Sequence, residues 1–265
     1  MPSGAVSPLL ETAVELARRA GDLTLRWFRS PDLVVDVKAD ATPVTEADRA
    51  AERFLRHELA TRFPDDGIVG EEEAERPGRS GRRWVIDPID GTKAFTHGVP
   101  LFATLVALLD GDEPVIGIIH LPALGETVYA ARGEGCWLDG RSARVADGAS
   151  ASIGPGALAG RWVMTSSIAS WSAEQLARLE QAGAHLRTWG DAYGYALVAS
   201  GRVDAMVDPV AEIWDLAPMP VIVAEAGGRF SALDGSAGPA RGNGVASCGG
   251  RLHDELLTVL TVLAD

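Results

Sequence analysis

Two aspartates, three residues apart, follow an apolar run and lead directly into a Gly-Thr turn. The apolar run is 84–86, the aspartates are Asp87 and Asp90, and the turn is Gly91-Thr92. Carboxylate oxygens are the hard ligands that Mg²⁺ prefers, and backbone N–H groups at the start of a helix can face a phosphate. The pattern therefore predicts a metal-dependent phosphate site.

The local sequence also predicts where these aspartates lie. Residues 84–86 are typical of a buried strand, and Pro88 cannot donate a hydrogen bond to a sheet, so we expect the strand to end near Asp87. Residues 92–95 are expected to open a helix after the turn. Asp-Pro and Asp-Gly are also common turn formers, and an isolated Asp-x-x-Asp would favour that structural explanation.

Further acidic residues at the ends of apolar runs favour a metal site over the turn-forming explanation. The acidic run 71–73 comes shortly after the apolar pair 68–69, and Asp215 follows the apolar pair 213–214 at the start of a helical pattern. Carboxylates at several such boundaries suit a cage for more than one Mg²⁺ better than they suit a solvated surface.

The order of these motifs resembles the inositol monophosphatase family of Mg²⁺-dependent, lithium-sensitive phosphatases. The resemblance extends from Lys38 to Gly228 and depends most on Trp-Val-Ile-Asp-Pro-Ile-Asp-Gly-Thr at 84–92. Within that family the chain is most similar to the histidinol-phosphate phosphatases, in segments 189–195 and 207–209. The resemblance implies an α+β or α/β fold, the layered α-β-α-β-α sandwich of the sugar-phosphatase (fructose-1,6-bisphosphatase-like) superfamily, and a homodimer.

The resemblance also implies a set of metal ligands. Glu71, Asp87 and the backbone carbonyl of Ile89 would hold a first Mg²⁺, and Asp87, Asp90 and Asp215 would hold a second. Two to three Mg²⁺ ions per site are expected. Paired metals about 3.5–4 Å apart can activate a water and stabilise the leaving oxygen of an in-line displacement.

Catalytic roles follow from the same resemblance. Thr92 would relay a proton from the attacking water to Asp48, and Glu71 would take part both in catalysis and in metal binding. Asp48 also lies three residues after Thr45, which is the spacing of a helix capping box, so the local sequence leaves both roles open. Glu72 is expected to support a third, weaker metal site.

Substrate contacts are implied at Gly91, Thr92, Asp191 and Asp208. Histidinol phosphate carries a protonated amine near neutral pH, and two carboxylates in the second half of the chain suit such a cation. Asp191 after Gly190 and Asp208 before a proline are also plausible turn formers.

Two residues near these motifs have a structural explanation beside a functional one. Lys93 either reaches a phosphate or points to solvent, and His97 either approaches the substrate or occupies a polar helix position. Glu73 is expected to be a surface charge.

Composition excludes some classes of protein. The formal net charge of −13 and a pI near 4.8 argue against a nucleic-acid binder, for which a basic face is expected. Cys136 and Cys248 match no zinc or redox spacing, so two free thiols in a cytoplasmic protein are expected. The longest apolar run, 99–109, is too short to span a bilayer, so no membrane partner is expected.

Hydrophobic periodicity divides the 265 residues into an N-terminal α+β half, 1–148, with the metal motif, and a C-terminal α/β half, 149–265, with the substrate-recognition residues. Thr45 is expected to cap a helix whose inward residues are Ala50, Phe54 and Leu55, and Asp110-Gly111 predicts an antiparallel hairpin. The predicted helices are 8–29, 46–62, 172–182, 193–200, 216–226 and 252–263, and the predicted strands are 102–109, 115–120, 127–131, 162–165, 186–188 and 204–207.

The sequence therefore predicts a Mg²⁺-dependent phosphomonoester hydrolase that converts L-histidinol phosphate and water to L-histidinol and phosphate. The alternatives are an inositol-1-monophosphatase or a broader sugar or nucleotide phosphatase. A metal-binding regulatory protein without turnover is the alternative from a different class.

Overall fold

The computed structural model describes residues 6–147, 156–237 and 242–261. Its helices are α1 (Pro8–Thr24), α2 (Glu46–Arg62), α3 (Thr92–Thr96), α4 (Ala173–Gln181), α5 (Asp191–Ala199), α6 (Ile213–Leu216), α7 (Met219–Glu225) and α8 (Gly250–Thr261). Its strands are β1 (Val35–Val37), β2 (Pro43–Thr45), β3 (Gly67–Gly70), β4 (Arg82–Asp90), β5 (Ala103–Asp110), β6 (Glu113–Leu121), β7 (Glu126–Ala131), β8 (Gly135–Leu138), β9 (Arg141–Ala143), β10 (Trp162–Met164), β11 (His185–Arg187), β12 (Ala205–Asp208), β13 (Arg229–Ser231) and β14 (Gly244–Ser247).

Helix α1 begins where the Ser7 side chain accepts a hydrogen bond from the Leu10 amide, with Pro8 in the first turn. It ends at Thr24, and the prediction that it continues to 29 was wrong. The Trp27 amide bonds the Thr24 carbonyl instead. The resulting turns bring the ring of Phe28 against the hydrophobic residues around α3.

Helix α2 has the predicted bounds and the predicted capping box. The Thr45 side chain accepts from the backbone at the helix start, and the Asp48 side chain accepts from the Thr45 amide. The inward stripe was placed one position out of phase: Ala51, Leu55 and Leu59 are buried, whereas Ala50 and Phe54 are half-buried. Only Leu55 was placed correctly.

A seven-stranded sheet has the order β3-β4-β5-β6-β7-β8-β9, with β3 and β4 parallel and the other pairs antiparallel. The predicted Asp110-Gly111 hairpin joins β5 to β6. Because side chains alternate along a strand, one face of the sheet packs on α1 and α2 and the other on α5 and α7.

Strand β4 was predicted to end near Asp87. This prediction was wrong, because the strand continues to Asp90. Its register against β5 shifts between Asp87 and Asp90. The pairing of β4 with β3 stops at Ile86. No residue of β3 therefore lies opposite Pro88, and no hydrogen bond to β3 is lost because proline has no N–H. The irregular end tolerates the proline and presents both carboxylates.

The second sheet is mixed, with the order β11-β10-β12-β14-β13. Strands β10, β11 and β12 are parallel, and β14 runs antiparallel to β12 and β13. Helices α5 and α7 lie between the two sheets, and α4 and α8 cover the outer face of the second. The layers form the predicted α-β-α-β-α sandwich.

The predicted helix 216–226 forms as α7 and begins later than predicted, at Met219, while the separate short helix α6 ends at Leu216. Pro218 and Pro220 have no N–H, so two intrahelical hydrogen bonds are missing at this point. The predicted boundary between halves, 148/149, lies outside the described residues and stays a prediction. The final residues of the predicted helix 252–263 also lie outside them.

Both cysteines are buried and unpaired, as expected. Among the helices of the described ranges, none has the length and apolarity needed to cross a membrane.

Candidate active site

The predicted metal ligands lie around one cavity of about 380 Å³ where the end of β4 meets α3 and α6. Its lining includes the predicted residues Glu71, Asp87, Ile89, Asp90, Gly91, Thr92, Lys93, Asp191 and Asp215. These residues come from distant parts of the sequence. The fold therefore joins the three acidic motifs at one place.

Three of the carboxylates converge. Asp87, Asp90 and Asp215 each place an oxygen within 4.8 Å of the others, and among the described residues they form the group suited to hold a metal ion. Backbone amides fix all three: Ile89 donates to Asp87 (3.0 Å), Ala192 to Asp90 (2.7 Å) and Glu212 to Asp215 (2.7 Å). Each carboxylate thus has a fixed direction before any ligand arrives.

The three converging carboxylates are buried close together, and a bound cation would offset their negative charge. Burial, followed by repulsion from neighbouring carboxylates, raises the pKa of Asp87 and of Asp90 well above the usual value. Burial raises the pKa of Asp215 to about 7, with the surrounding acidic groups contributing. Buried carboxylates that cannot all ionise alone, arranged as hard oxygen donors, fit bound Mg²⁺.

Glu71 lies beside this group but is paired differently. Its Oε1 and the Oε1 of Glu72 are each 2.6 Å from the Nζ of Lys38. Burial lowers the pKa of Lys38, but hydrogen bonds and charge from the two glutamates outweigh that effect and raise it. In the run 71–73, Glu71 therefore lines the cavity and shares Lys38 with Glu72, and Glu73 is exposed, as predicted.

Thr92 and Asp48 meet at the edge of the cavity. The Thr92 hydroxyl donates to the Ile89 carbonyl at 3.0 Å, and its Oγ1 lies 3.5 Å from Oδ1 of Asp48. The other carboxylate oxygen of Asp48 accepts from the amide of Thr45. Burial raises the pKa of Asp48 to about 6, although bonds from Thr45 oppose the shift.

Gly91 has a left-handed φ of +81° and begins α3. A Cβ there would lie 3.1 Å from Oδ2 of Asp191 and 3.2 Å from the Leu101 carbonyl oxygen, so glycine favours the left-handed conformation and avoids a shift of these neighbours. Lys93 lines the cavity. His97 is exposed, with Nδ1 2.8 Å from the Lys93 carbonyl oxygen, and does not line the cavity.

Asp191 and Asp208 lie together on the second-half side of the site. Ser166 connects them, because its Oγ accepts from the Asp191 amide at 2.8 Å and donates to Oδ1 of Asp208. Burial raises the pKa of Asp191, and burial raises the pKa of Asp208 to about 6. The left-handed φ of Asp191, +51°, agrees with its turn-forming tendency, and its substrate contact stays a prediction.

Sequence reasoning missed Glu52, Ser166 and Tyr195 and gave Lys38 no role. Glu52 is buried and accepts hydrogen bonds from the amides of Glu72 (2.8 Å) and Glu73 (3.0 Å). A charged residue on the buried face of α2, one turn after Asp48, is a signal that could have identified it.

Comparison with known proteins places these features in a family. Residues 5–262 match the model of the inositol monophosphatase family. The histidinol-phosphatase of Mycobacterium tuberculosis is 42% identical over 258 residues, which cover 95% of this chain and 97% of that protein. The histidinol-phosphatase of Chlorobaculum parvum is 44% identical, over 87% of this chain and 90% of that protein.

Solved structures show the same architecture. The Thermotoga maritima IMPase superposes with a TM-score of 0.84 at 34% identity and covers 96% of this chain and 97% of that one. The extragenic suppressor protein suhB of Bartonella henselae gives a TM-score of 0.87 at 28% identity, with coverage of 97% and 100%. The similarity therefore extends through both halves of the chain.

Proposed function

Since the chain belongs to the inositol monophosphatase family, we propose that it is the phosphatase that hydrolyses L-histidinol phosphate to L-histidinol and phosphate. The observation that carries the proposal is the converging group Asp87, Asp90 and Asp215 beside the start of α3. The full-length similarity to histidinol-phosphatases at 41–44% identity supports the choice of substrate.

The reaction breaks the bond between phosphorus and the alcohol oxygen. Water adds to phosphorus and loses a proton, and the alcohol oxygen leaves and gains one. Glu71, Asp87, the Ile89 carbonyl, Asp90 and Asp215 would hold Mg²⁺. Bound Mg²⁺ supplies the positive charge that activates water and stabilises the leaving oxygen.

The chain itself provides the path for the proton. The Thr92 hydroxyl lies between the cavity and Oδ1 of Asp48, so it can accept a proton from the attacking water and pass its own to Asp48. A carboxylate with a pKa of about 6 is ionised at neutral pH and still basic enough for this role. Gly91 and the amides that follow it would bind the phosphate oxygens.

Asp191 and Asp208 would bind the cationic end of the substrate. Neither belongs to the converging metal group, so their charge remains available when the other carboxylates hold cations. The protonated amine of histidinol phosphate is the complementary group.

We also infer the finer properties that the family resemblance implies. They are two to three Mg²⁺ ions per site, sensitivity to lithium, a homodimer, a cytoplasmic location, and no nucleic-acid or membrane partner. The net charge of −13 supports the exclusion of nucleic acid.

Phosphate release from L-histidinol phosphate and from inositol-1-phosphate, measured side by side with Mg²⁺, tests the proposal. We expect a large kcat/KM preference for L-histidinol phosphate and loss of both activities in Asp90→Asn. A preference for inositol-1-phosphate would overturn the substrate and keep the reaction class. If the protein hydrolyses no phosphomonoester, the result would support the alternative of a metal-binding protein without catalysis.

A further inference from the structure

A small cavity of about 70 Å³ opens beside the converging carboxylates, on the side away from Glu71. It is large enough for about two water molecules at roughly 30 Å³ each. Its polar lining consists of Asp90, Ser166, Asp191, Tyr195, Asp208 and Asp215. We call this space the side cavity.

Tyr195 presents a buried hydroxyl to the side cavity, where it faces Asp208. Its side chain is 1% exposed, and its hydroxyl has no hydrogen-bond partner of good geometry among the described residues. The hydroxyl is also confined, because a Cβ built at Gly244 would lie 3.0 Å from it. Asp208 can accept the proton of this hydroxyl, but no described residue donates to its oxygen, so the acceptor positions of the phenol oxygen are open to a donor in the side cavity.

Ser166 fixes the acidic wall opposite the reaction centre. Its hydroxyl and its amide, the latter at 3.2 Å, both donate to Oδ1 of Asp208. Its Oγ also accepts from the amide that begins α5 at Asp191. Ser166 therefore connects the carboxylate of Asp208 to the backbone at Asp191, two residues that belong to different elements.

We propose that the side cavity binds the protonated primary amine of the substrate, with the Tyr195 hydroxyl acting together with Asp191 and Asp208 as an acceptor. The inference rests on the proposed function and adds Tyr195 as a specificity-determining residue. An ammonium group has three N–H donors on one compact atom, which match one phenol oxygen and two carboxylates. A hydrated Mg²⁺ needs a roomier, near-octahedral shell that keeps several waters.

Tyr195→Phe tests the inference because it removes one oxygen and keeps the buried ring. The measured quantity is the amine preference: kcat/KM for L-histidinol phosphate divided by kcat/KM for its des-amino analogue. We expect this ratio to fall about tenfold, the loss expected for one hydrogen bond to a charged group. Tyr193→Phe removes the same atom from a neighbouring tyrosine that does not line the side cavity, and should keep the ratio.

Binding provides a second measurement that does not depend on turnover. Calorimetry with L-histidinol and with its des-amino analogue, in the presence of Mg²⁺ and phosphate, should show the same loss of amine preference in Tyr195→Phe. Thermal unfolding of each variant checks that the fold is retained.

If Tyr195→Phe lowers kcat/KM equally for both substrates, the ratio is unchanged. That result would overturn the inference and leave Tyr195 as a core residue. Failure of the proposed function gives a different result. A wild-type enzyme that hydrolyses inositol-1-phosphate but not L-histidinol phosphate rejects the proposed substrate. In that case the amine preference is measured with 2-aminoethyl phosphate and ethyl phosphate, and a ratio that is unaffected by Tyr195→Phe would still overturn the amine site.

Discussion

Asp48 uses its two carboxylate oxygens for different neighbours. Oδ2 accepts from the amide and the hydroxyl of Thr45 (2.8 and 2.6 Å), while Oδ1 faces Thr92. The helix cap and the proposed catalytic role therefore do not compete for one atom. The two explanations that the sequence left open are compatible with each other.

Thr92→Val is expected to lower kcat by about 100-fold, because positioned acid–base groups contribute roughly 10²–10⁴ and valine has no hydroxyl to relay the proton. Phosphate release from L-histidinol phosphate at saturating Mg²⁺ measures the effect. Thr92→Ser keeps the hydroxyl and should retain most of the activity. Mg²⁺ affinity, measured by calorimetry, should stay close to wild type in both. A valine variant with wild-type kcat would remove Thr92 from the proton path.

Helix α2 joins the catalytic edge of the site to the acidic run 71–73. Asp48 and Glu52 are four residues apart and so lie on the same side of the helix. Glu52 accepts from two amides of the run and from Nε of Arg56 at 2.8 Å. The side chain thus sets the position of Glu71 without touching the cavity.

Glu52→Gln should destabilise the protein by roughly 2–3 kcal/mol, because the amide has one acceptor oxygen and leaves Arg56 without its buried partner. It should also weaken Mg²⁺ binding through Glu71. Urea unfolding and calorimetry measure the two effects. Glu58→Gln on the same helix breaks only surface pairs with Arg62 and Arg19 and should change stability by less than about 1 kcal/mol. Equal behaviour of the two variants would contradict the positioning role of Glu52.

The start of α3 depends on glycine at position 91. Gly91→Ala should raise KM, since the new Cβ crowds Oδ2 of Asp191 and the Leu101 carbonyl, and should cost about 1–2 kcal/mol for the left-handed conformation. Gly125→Ala has a similar φ of +67° and no atom within 4 Å of the new Cβ, so it isolates the conformational cost. Steady-state kinetics and thermal unfolding separate the two contributions. If both variants raise KM equally, crowding of Asp191 is excluded as the cause.

The secondary-structure features that depend on residues close in sequence were predicted correctly. The capping box at Thr45, the bounds of α2 and the hairpin at Asp110-Gly111 depend on neighbouring residues, and the structure confirms them. Strand β4 can continue past Pro88 because its partner β3 ends before that position. The sequence of β4 alone does not show where β3 ends. Ser166 was missed for the same reason, because its partner Asp208 is 42 residues away.

Across the whole molecule, the layered fold gathers like charges that the unfolded chain keeps apart. The end of β4 and the starts of α2 and α6 all bring carboxylates to one place, in a chain whose net charge is already −13. Folding without metal therefore has an electrostatic cost, and bound cations should relieve it. The same arrangement would provide both the proposed metal site and its dependence on pH.

The metal-free protein should be more stable at about pH 6.5 than at about pH 8. The folded chain raises the pKa of Asp87 and Asp90 well above the usual value and that of Asp215 to about 7, chiefly through burial. A raised carboxyl pKa means that the folded state binds protons more tightly than the unfolded state, so the free energy of unfolding rises as the pH falls through this window. Burial lowers the pKa of His253 to about 4 and also lowers the pKa of His120, and a histidine in the unfolded chain is about half protonated at pH 6.5, so these two residues oppose the carboxyl effect by a smaller amount.

Thermal unfolding in EDTA at the two pH values should show a gain of at least about 1 kcal/mol at the lower pH. Added Mg²⁺ should raise Tm more at pH 8 than at pH 6.5, because protons compete with the metal for the same oxygens. Asp215→Asn removes one of the titrating groups and should make the pH dependence of the metal-free protein shallower. Equal stability at both pH values in EDTA would mean that folding does not raise the pKa of these carboxyl groups, and that bound cations relieve no electrostatic cost there.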